Sequence, residues 1–435
     1  MRVPRGRARL PAVVCSVAVL AAAGGAASAP GAPARATLAA GPASPAGSAG
    51  TGEVVVGAAL DLSAGWTSLG RGSRVTLRLA AADANAALRR RGAEERVRLR
   101  IVDTRGTPAG ARRAVRMLAR QGARIVIGPP TSSGVAAVRR EAGRLGVIVI
   151  SMGSTAHSLA IPGDNVFRVV PDDVRQAEAV VALLKRHQVD GVVPVWRRDP
   201  GNRGLAVSVR RLFTRTGGTV SRGVSYAETN PRFGPVTSAI VSQATALRAA
   251  GARRVAVYLA AFDEVVDLFH AAGTVTPVTS LPWYGSDGVV LSTRLQRDRR
   301  AAAFAQRVGY PSPTVGLPAA VRRRAQPFIR RARARLGREP DALALSAYDA
   351  LRFGVNAQLR AGAGAGRLRA QLMRTANGYA GVTGTMRLNR AGDRAYGTYD
   401  FWSLCRAGNT ARWKRTAQYV ARGVGSGRMT GTGRC

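Results

Sequence analysis

The sequence predicts an α/β fold of two lobes, each a parallel sheet with helices on both faces. Three observations carry this. From Glu53 onward, short β-branched runs alternate with Arg/Ala-rich helical stretches, the βα order that builds parallel sheets. The alternation runs twice, from Glu53 to about Val170 and from Asp172 to about Gly288. Two adjacent buried runs, Ile125–Ile127 and Val147–Ile150, each empty into a loop of hydroxyls and glycines. Ligands of open α/β sheets sit beyond such strand ends.

Taken in order, residues 1–36 read as an export signal. Arg2, Arg5, Arg7 and Arg9 form a basic region, Val13 to Ala23 an apolar run, and Ala27-Ser28-Ala29 a cleavage pattern. Pro30 hinders cutting after Ala29, so cleavage after Ala36 is the alternative. The apolar run is too short to span a bilayer comfortably, and most of it follows Cys15 instead of leading to it, unlike a lipid anchor. An extracytoplasmic protein is expected. Residues 37–52, rich in Ala, Gly, Pro and Ser, read as a flexible linker.

Strands are expected at Val54–Leu60, Val97–Val102, Arg124–Ile127, Val147–Ile150, Val166–Val169, Gly191–Val195, Thr219–Val224, Arg254–Leu259 and Leu281–Tyr284. Helical stretches separate them. The region 310–378 is expected to be mainly helical, with strand character returning at Thr385–Leu388 and Tyr396–Leu404. Residues 53–170 with 310–378 are assigned to the first lobe and 171–309 with 379–405 to the second. Residues 406–435 remain as a tail. Pro171 and its acidic neighbours make the joint, and hinged closure is the natural motion.

With the signal removed, Cys405 and Cys435 are the only cysteines. In an oxidising compartment they predict one disulfide, with two free thiols as the alternative. The net charge of +42 invites a nucleic-acid reading. Yet 64 of 66 basic residues are arginine, spread along the whole chain, and aromatics are 5%. No specific nucleic-acid partner is expected, only nonspecific affinity for anionic envelope polymers. The histidines His157, His187 and His270 are scattered without metal-ligand spacing. There is no Gly-x-Ser-x-Gly elbow, Walker lysine or Gly-x-Gly-x-x-Gly. No catalytic residue, metal or cofactor is expected. Tyr348 and Asp349 fall in a predicted helix, with core and surface roles respectively.

Several segments resemble one family, the type I periplasmic binding proteins of the branched-chain amino acid (Leu/Ile/Val) group of ABC importers. Gly57–Ala64 with Leu69-Gly70 is similar to its first strand and opening loop, and Val102-Asp103-Thr104 to its second βα unit. Gly128-Pro129 with Ser132-Ser133, and Ser151–Thr155, resemble its two first-lobe ligand loops. Gly285–Gly288, Ala347–Ala350 and Gly381–Thr385 through Gly392-Asp393 are also similar. The likeness covers roughly residues 53–405. It implies two Rossmann-like lobes joined by a multi-strand hinge, closing on a small amino-acid-like or carboxylate ligand for a membrane ABC permease.

By the same resemblance, Ser132 donates its hydroxyl to a ligand carboxylate, with Ser133 beside it. Both lie at a predicted helix start, where backbone N–H groups favour an anion; a plain N-cap is the alternative for Ser132. Gly153 and Thr155 meet the ligand's amino and carboxyl groups, or form an ordinary loop. Asp287 pairs with an ammonium, or caps the following segment. Phe262 is a pocket aromatic or a core residue. Trp66 substitutes for a ring often found near Leu69. The charged loop Arg197–Arg203 departs from the family and reads as a solvated rim. Two other roles remain for the fold: ligand sensing for a membrane receptor, and adhesion to polyanions of the cell envelope.

Overall fold

Five short apolar runs build the first sheet. They are β1 (Glu53–Leu60), β2 (Arg96–Asp103), β3 (Ile125–Ile127), β4 (Ile148–Ser151) and β5 (Val166–Pro171), with α1 (Thr67–Arg90), α2 (Pro108–Arg120) and α3 (Ser132–Arg144) between the first four. The computed structural model describes residues 52–435, apart from 65, 363, 364, 409 and 424. The export signal and all but the last residue of the linker lie outside the described residues. Among the described residues no helix is long and apolar enough to cross a membrane.

The sheet runs β5-β4-β3-β1-β2, all parallel, with Asp393–Arg394 added beside β5. Strand order reverses between β1 and β3, and ligands of open α/β sheets lodge at such a point. Every residue of β3, β4 and β5 is buried, which explains why they are apolar apart from Ser151 and Arg168. Gly128 ends β3 with φ +89°, and a Cβ there would lie 2.1 Å from the Ala59 carbonyl oxygen. Only glycine fits.

The second lobe repeats the scheme. α4 (Asp173–Arg186) leads to β6 (Gly191–Arg197), α5 (Pro200–Arg215), β7 (Thr219–Val220), β8 (Val224–Tyr226), α6 (Gly234–Ala249), β9 (Val255–Ala260), α7 (Val265–Gly273), α8 (Thr276–Thr279) and β10 (Trp283–Tyr284). The order is β10-β9-β6-β7, with β8 also on β6, again parallel. The single strand expected over Thr219–Val224 is broken in two. Gly223 adopts φ +83° and exchanges two hydrogen bonds with the Gln243 side chain, 2.7 and 3.1 Å, which takes its backbone out of the ladder.

Beyond β10 the chain crosses between lobes. Helices Ala319–Leu336, Ala342–Ala361 and Ala365–Gly378 follow a strand, Ser312–Gly316, inside the stretch expected to be helical. That strand pairs antiparallel with Thr398–Ala407, which continues through Thr410–Gly423 and Ser426–Gly431 as a four-stranded sheet. Tyr399, Phe401 and Tyr419 of this sheet share a core with Leu183 of α4 and Tyr258 of β9. Residues 410–431, which resemble nothing in the sequence reading, thus build part of the second lobe. The strand expected at Thr385–Leu388 shrinks to Gly384–Thr385 and one bridge from Leu388 to Arg394. Asp349, expected at the surface, is fully buried. Its carboxylate accepts from the Val382 and Thr383 N–H groups, 2.9 and 2.8 Å, and from the Thr383 hydroxyl. The helix residue is what holds the glycine-rich turn at 381–384.

Cys405 and Cys435 form a disulfide closing a loop of 30 residues. Bridges of this kind contribute about 2–4 kcal/mol. Alkylation of the native protein without reductant, once residues 1–36 are removed, should find no free thiol, and reduction should lower the urea midpoint accordingly. Two reactive thiols in native protein would contradict the bridge.

Candidate functional site

Six of the segments singled out in the sequence leave the carboxyl ends of parallel strands: 61–64 with Trp66 after β1, 128–133 after β3, 151–155 after β4, 198–202 after β6, 261–264 after β9 and 285–288 after β10. Local hydrogen bonds fix each one. Asp61 accepts from the Ala64 and Trp66 N–H groups, 3.0 and 3.1 Å, holding the turn that presents Trp66. Thr131, not Ser132, is the N-cap of α3 and accepts from Gly134 N–H at 3.2 Å. Ser132 is therefore the first helical residue. Its hydroxyl lies 3.1 Å from that of Ser154 and accepts from Ala156 N–H at 3.2 Å. The Ser151 hydroxyl donates to the Pro129 carbonyl at 2.7 Å, joining the two first-lobe loops.

A buried ion pair anchors this side from behind. Arg168 of β5 donates from Nε and Nη2 to Asp393 at 2.5 and 2.6 Å, and from Nη1 to the Ala156 carbonyl at 2.6 Å. The turn Asn389–Asp393 thereby fixes the loop that ends in Thr155 and Ala156.

The structure brings the aromatic residues together across the lobes. The Trp66 and Phe262 rings meet edge-on at 4.7 Å, and both are buried. A Cβ on Gly153 would lie 3.1 Å from the Trp66 ring and 2.8 Å from the Pro130 carbonyl, so this position holds a close approach. The Trp66 indole N–H is buried without a partner. Phe262 is held by its backbone N–H donating to Glu264 at 3.1 Å, and the Arg197 guanidinium lies 4.8 Å over its ring. Arg197 also pairs with Asp199, Glu228 and Glu264. The loop expected as a solvated rim is thus divided. Arg198, Pro200 and Arg203 are exposed, while Asp199 and Asn202 are buried because Asp199 caps α5 through Gly201 and Asn202 N–H, both 3.0 Å.

The third group centres on the N-terminus of α4, which the sequence reading treated only as a joint. Asp173 is 0% exposed, and neither carboxylate oxygen has a hydrogen-bond partner. Its N–H donates to the Thr155 carbonyl at 2.9 Å. One turn on, Gln176 accepts from the Asp287 N–H at 3.2 Å. Residues three apart share a helix face, so Asp173 and Asp287 flank the same space beside Thr155. Gly204 of α5 closes it, since a Cβ there would fall 2.1 Å from an Asp173 oxygen. Burial lifts the Asp287 carboxyl to about 7 and that of Asp173 well above the usual range, each reinforced by a neighbouring carboxylate. The nearby Tyr258 and Tyr399 hydroxyls are also buried without partners. Such orphaned groups await a donor or cation. Ser133 stands apart: its hydroxyl donates to Thr131 at 3.4 Å within the cap turn. The sequence signal for Asp173 was there, as an acidic pair after a strand end with Gln176 three residues on.

The sequence matches the family described as Periplasmic binding protein over residues 53–408. Among solved structures, a leucine binding protein of Thermotoga maritima is 21% identical, with 83% of this chain and 97% of that one covered and a TM-score of 0.70. A branched-chain amino acid transporter substrate binding protein of Streptococcus pneumoniae, in complex with isoleucine, is 19% identical (84% and 99% covered, TM-score 0.65). A solute binding protein of Rhodopseudomonas palustris in complex with benzoate is 17% identical (83% and 96%, 0.64). These likenesses establish the fold. An uncharacterized protein of Methanocaldococcus jannaschii is 25% identical over 381 residues, 83% of this chain and 88% of that protein.

Proposed function

The chain belongs to the periplasmic binding protein family, and from that membership we propose that it captures a small amino-acid-like solute outside the membrane and delivers it to an ABC permease. The observation that carries the reading is Asp173, buried with no hydrogen-bond partner on either carboxylate oxygen, with the half-buried Asp287 beside it and no cation within 4 Å of either carboxylate among the described residues. A ligand ammonium supplies the donors that Asp173 lacks and a cation for Asp287, and a desolvated ammonium needs such partners. Ser132 at the start of α3 and Thr155 suit the ligand's carboxylate. Trp66 and Phe262, whose rings meet edge-on, supply its apolar contact. Relatives of this fold bind isoleucine or benzoate; the unpaired acids favour the zwitterion over the plain acid. The buried indole N–H of Trp66 is a further donor for the bound solute.

A thermal-shift screen of amino acids, short peptides and aromatic acids tests this. Ligand at a hundred times its Kd adds about 2.7 kcal/mol of stability. Asp287→Asn and Asp173→Asn should each weaken an amino acid at least tenfold, the loss of about 1.4 kcal/mol or more expected for one charge-assisted bond. An aromatic acid that binds while every amino acid fails, or a response unchanged in both variants, would end the ammonium assignment.

A further inference from the structure

The second lobe has a basic face at the amino ends of its strands, which the cleft does not use. A basin of about 530 Å³ opens there beside Val255, the first residue of β9. The cleft end of that strand, Ala260, is roughly 17 Å away. Arg248, Arg253, Arg254, Arg307 and Arg434 line the basin, and no acidic side chain does. A second basin of about 640 Å³ adjoins it at Gln306, lined by Arg297, Arg299 and Arg406 and again by no acid. Both follow the helix Arg299–Val308, on which residues 299 and 307 stand about 12 Å apart. All eight arginines are exposed, and among the described residues none has a carboxylate within 4 Å.

Arginine is common throughout this chain, so number alone means little. These cations are also gathered and held by the fold. Asp190 accepts from the Arg253 and Arg254 backbone N–H groups at 3.0 and 2.8 Å, setting the turn that presents both. Arg434 is placed by the Cys405–Cys435 bridge and by the Ser403 hydroxyl, which donates to the Gly433 carbonyl at 2.9 Å. Asp298, between two of the arginines in sequence, is engaged by His270 at 2.8 Å and by Ala301 N–H at 2.9 Å. His187 also lines the first basin. Its Nε2–H donates to the Thr432 carbonyl at 2.6 Å, so Nδ1 accepts from the Tyr284 hydroxyl at 2.5 Å. Burial, and then Arg434 and Arg254 against the pull of the Thr432 carbonyl, hold this imidazole below its ordinary range. Two cations therefore bear on one neutral ring.

A guanidinium fork takes two acceptor oxygens, and a phosphoryl group has enough to serve two forks at once. Five forks in one basin and three in the next suit linked phosphates. The tyrosines of the first basin, Tyr284 and Tyr310, are buried, so they form no platform for stacked bases.

We propose that this face binds a linear, base-free chain of linked phosphates along the helix Arg299–Val308. Arg254, Arg307 and Arg434 hold it in the first basin, and Arg297, Arg299 and Arg406 in the second. This second site is independent of what the cleft takes. Such chains exist as free inorganic polyphosphate and as phosphodiester polymers of cell envelopes.

Fluorescence anisotropy tests the full protein against end-labelled inorganic polyphosphate and a glycerol-phosphate oligomer of equal charge, at physiological ionic strength. At least one should bind, and the tighter of the two names the source. Arg254→Ser/Arg307→Ser/Arg434→Ser should weaken it roughly tenfold. The salt slope should fall by about 2, at about 0.7 per lost phosphate contact. Arg297→Ser/Arg299→Ser/Arg406→Ser repeats the test on different residues and should show a comparable loss. Arg89→Ser/Arg90→Ser/Arg91→Ser removes equal charge from an exposed run of the first lobe and should change affinity by about twofold or less. Failure of both polymers to bind overturns the inference, as does an equal loss in the first-lobe variant. An oligothymidylate of the same charge that binds as tightly overturns it too, since the face would then read charge alone.

Discussion

Asp393→Ala is expected to destabilise the protein by about 3–5 kcal/mol, the cost of leaving one partner of a buried ion pair unpaired. Arg168 is fully buried, and Asp393 takes both arms of its guanidinium at 2.5 and 2.6 Å. Without that carboxylate the cation keeps only carbonyl acceptors, chiefly Ala156. Urea unfolding should show a lower midpoint with unchanged slope. Arg168→Leu/Asp393→Leu should recover much of the loss, since an apolar pair carries no desolvated charge. Because Arg168 also grips the loop ending at Ala156, ligand affinity should fall in the single variant. A change under 1 kcal/mol would show that water reaches the pair and that the loop has another anchor.

The second large effect is on pH. Burial raises the Asp287 carboxyl from 3.8 to about 7, so the folded protein holds this proton over a range where the unfolded chain has released it. Its contribution to stability is complete below about pH 4 and is lost as pH rises to 7, on the order of 4 kcal/mol at about 1.4 kcal/mol per pH unit. Asp173 acts with the same sign. Unliganded protein should therefore be weaker at pH 8 than at pH 4.5, and Asp287→Asn should be the more stable of the two at pH 8. A cationic ligand reverses the penalty, so its uptake near pH 6 should release protons, which calorimetry in buffers of different ionisation heat detects. If wild type and Asp287→Asn lose stability in parallel between these pH values, Asp287 is hydrated in the free protein.

Much of the first lobe was readable because its strands are buried on both faces and announce themselves as unbroken runs of Ile and Val, as at Ile125–Ile127. Helix starts are legible where proline or a short polar residue marks them, as Thr107-Pro108 does for α2. What escaped depends on partners distant in sequence. Asp349 looks like a helix-surface acid until the turn at 381–384 is placed against it, and Arg197 looks solvated until Glu228 and Glu264 surround it. Asp173 was missed for the same reason: its isolation is a property of the space around it, which no local pattern records. The hairpin after residue 410 is strongly basic and only half-buried, so it lacks the apolar alternation that betrays a strand.

The antiparallel sheet has a bearing on how the chain is made. Its aromatic residues Phe401 and Tyr419 complete the apolar face of α4, yet they are synthesised roughly 240 residues after it. At 5–20 residues per second the ribosome needs on the order of 10–50 s to deliver them. Throughout that interval the nascent polypeptide carries a half-finished second lobe with greasy surface uncovered, a state that chaperones recognise and translocation machinery can still thread.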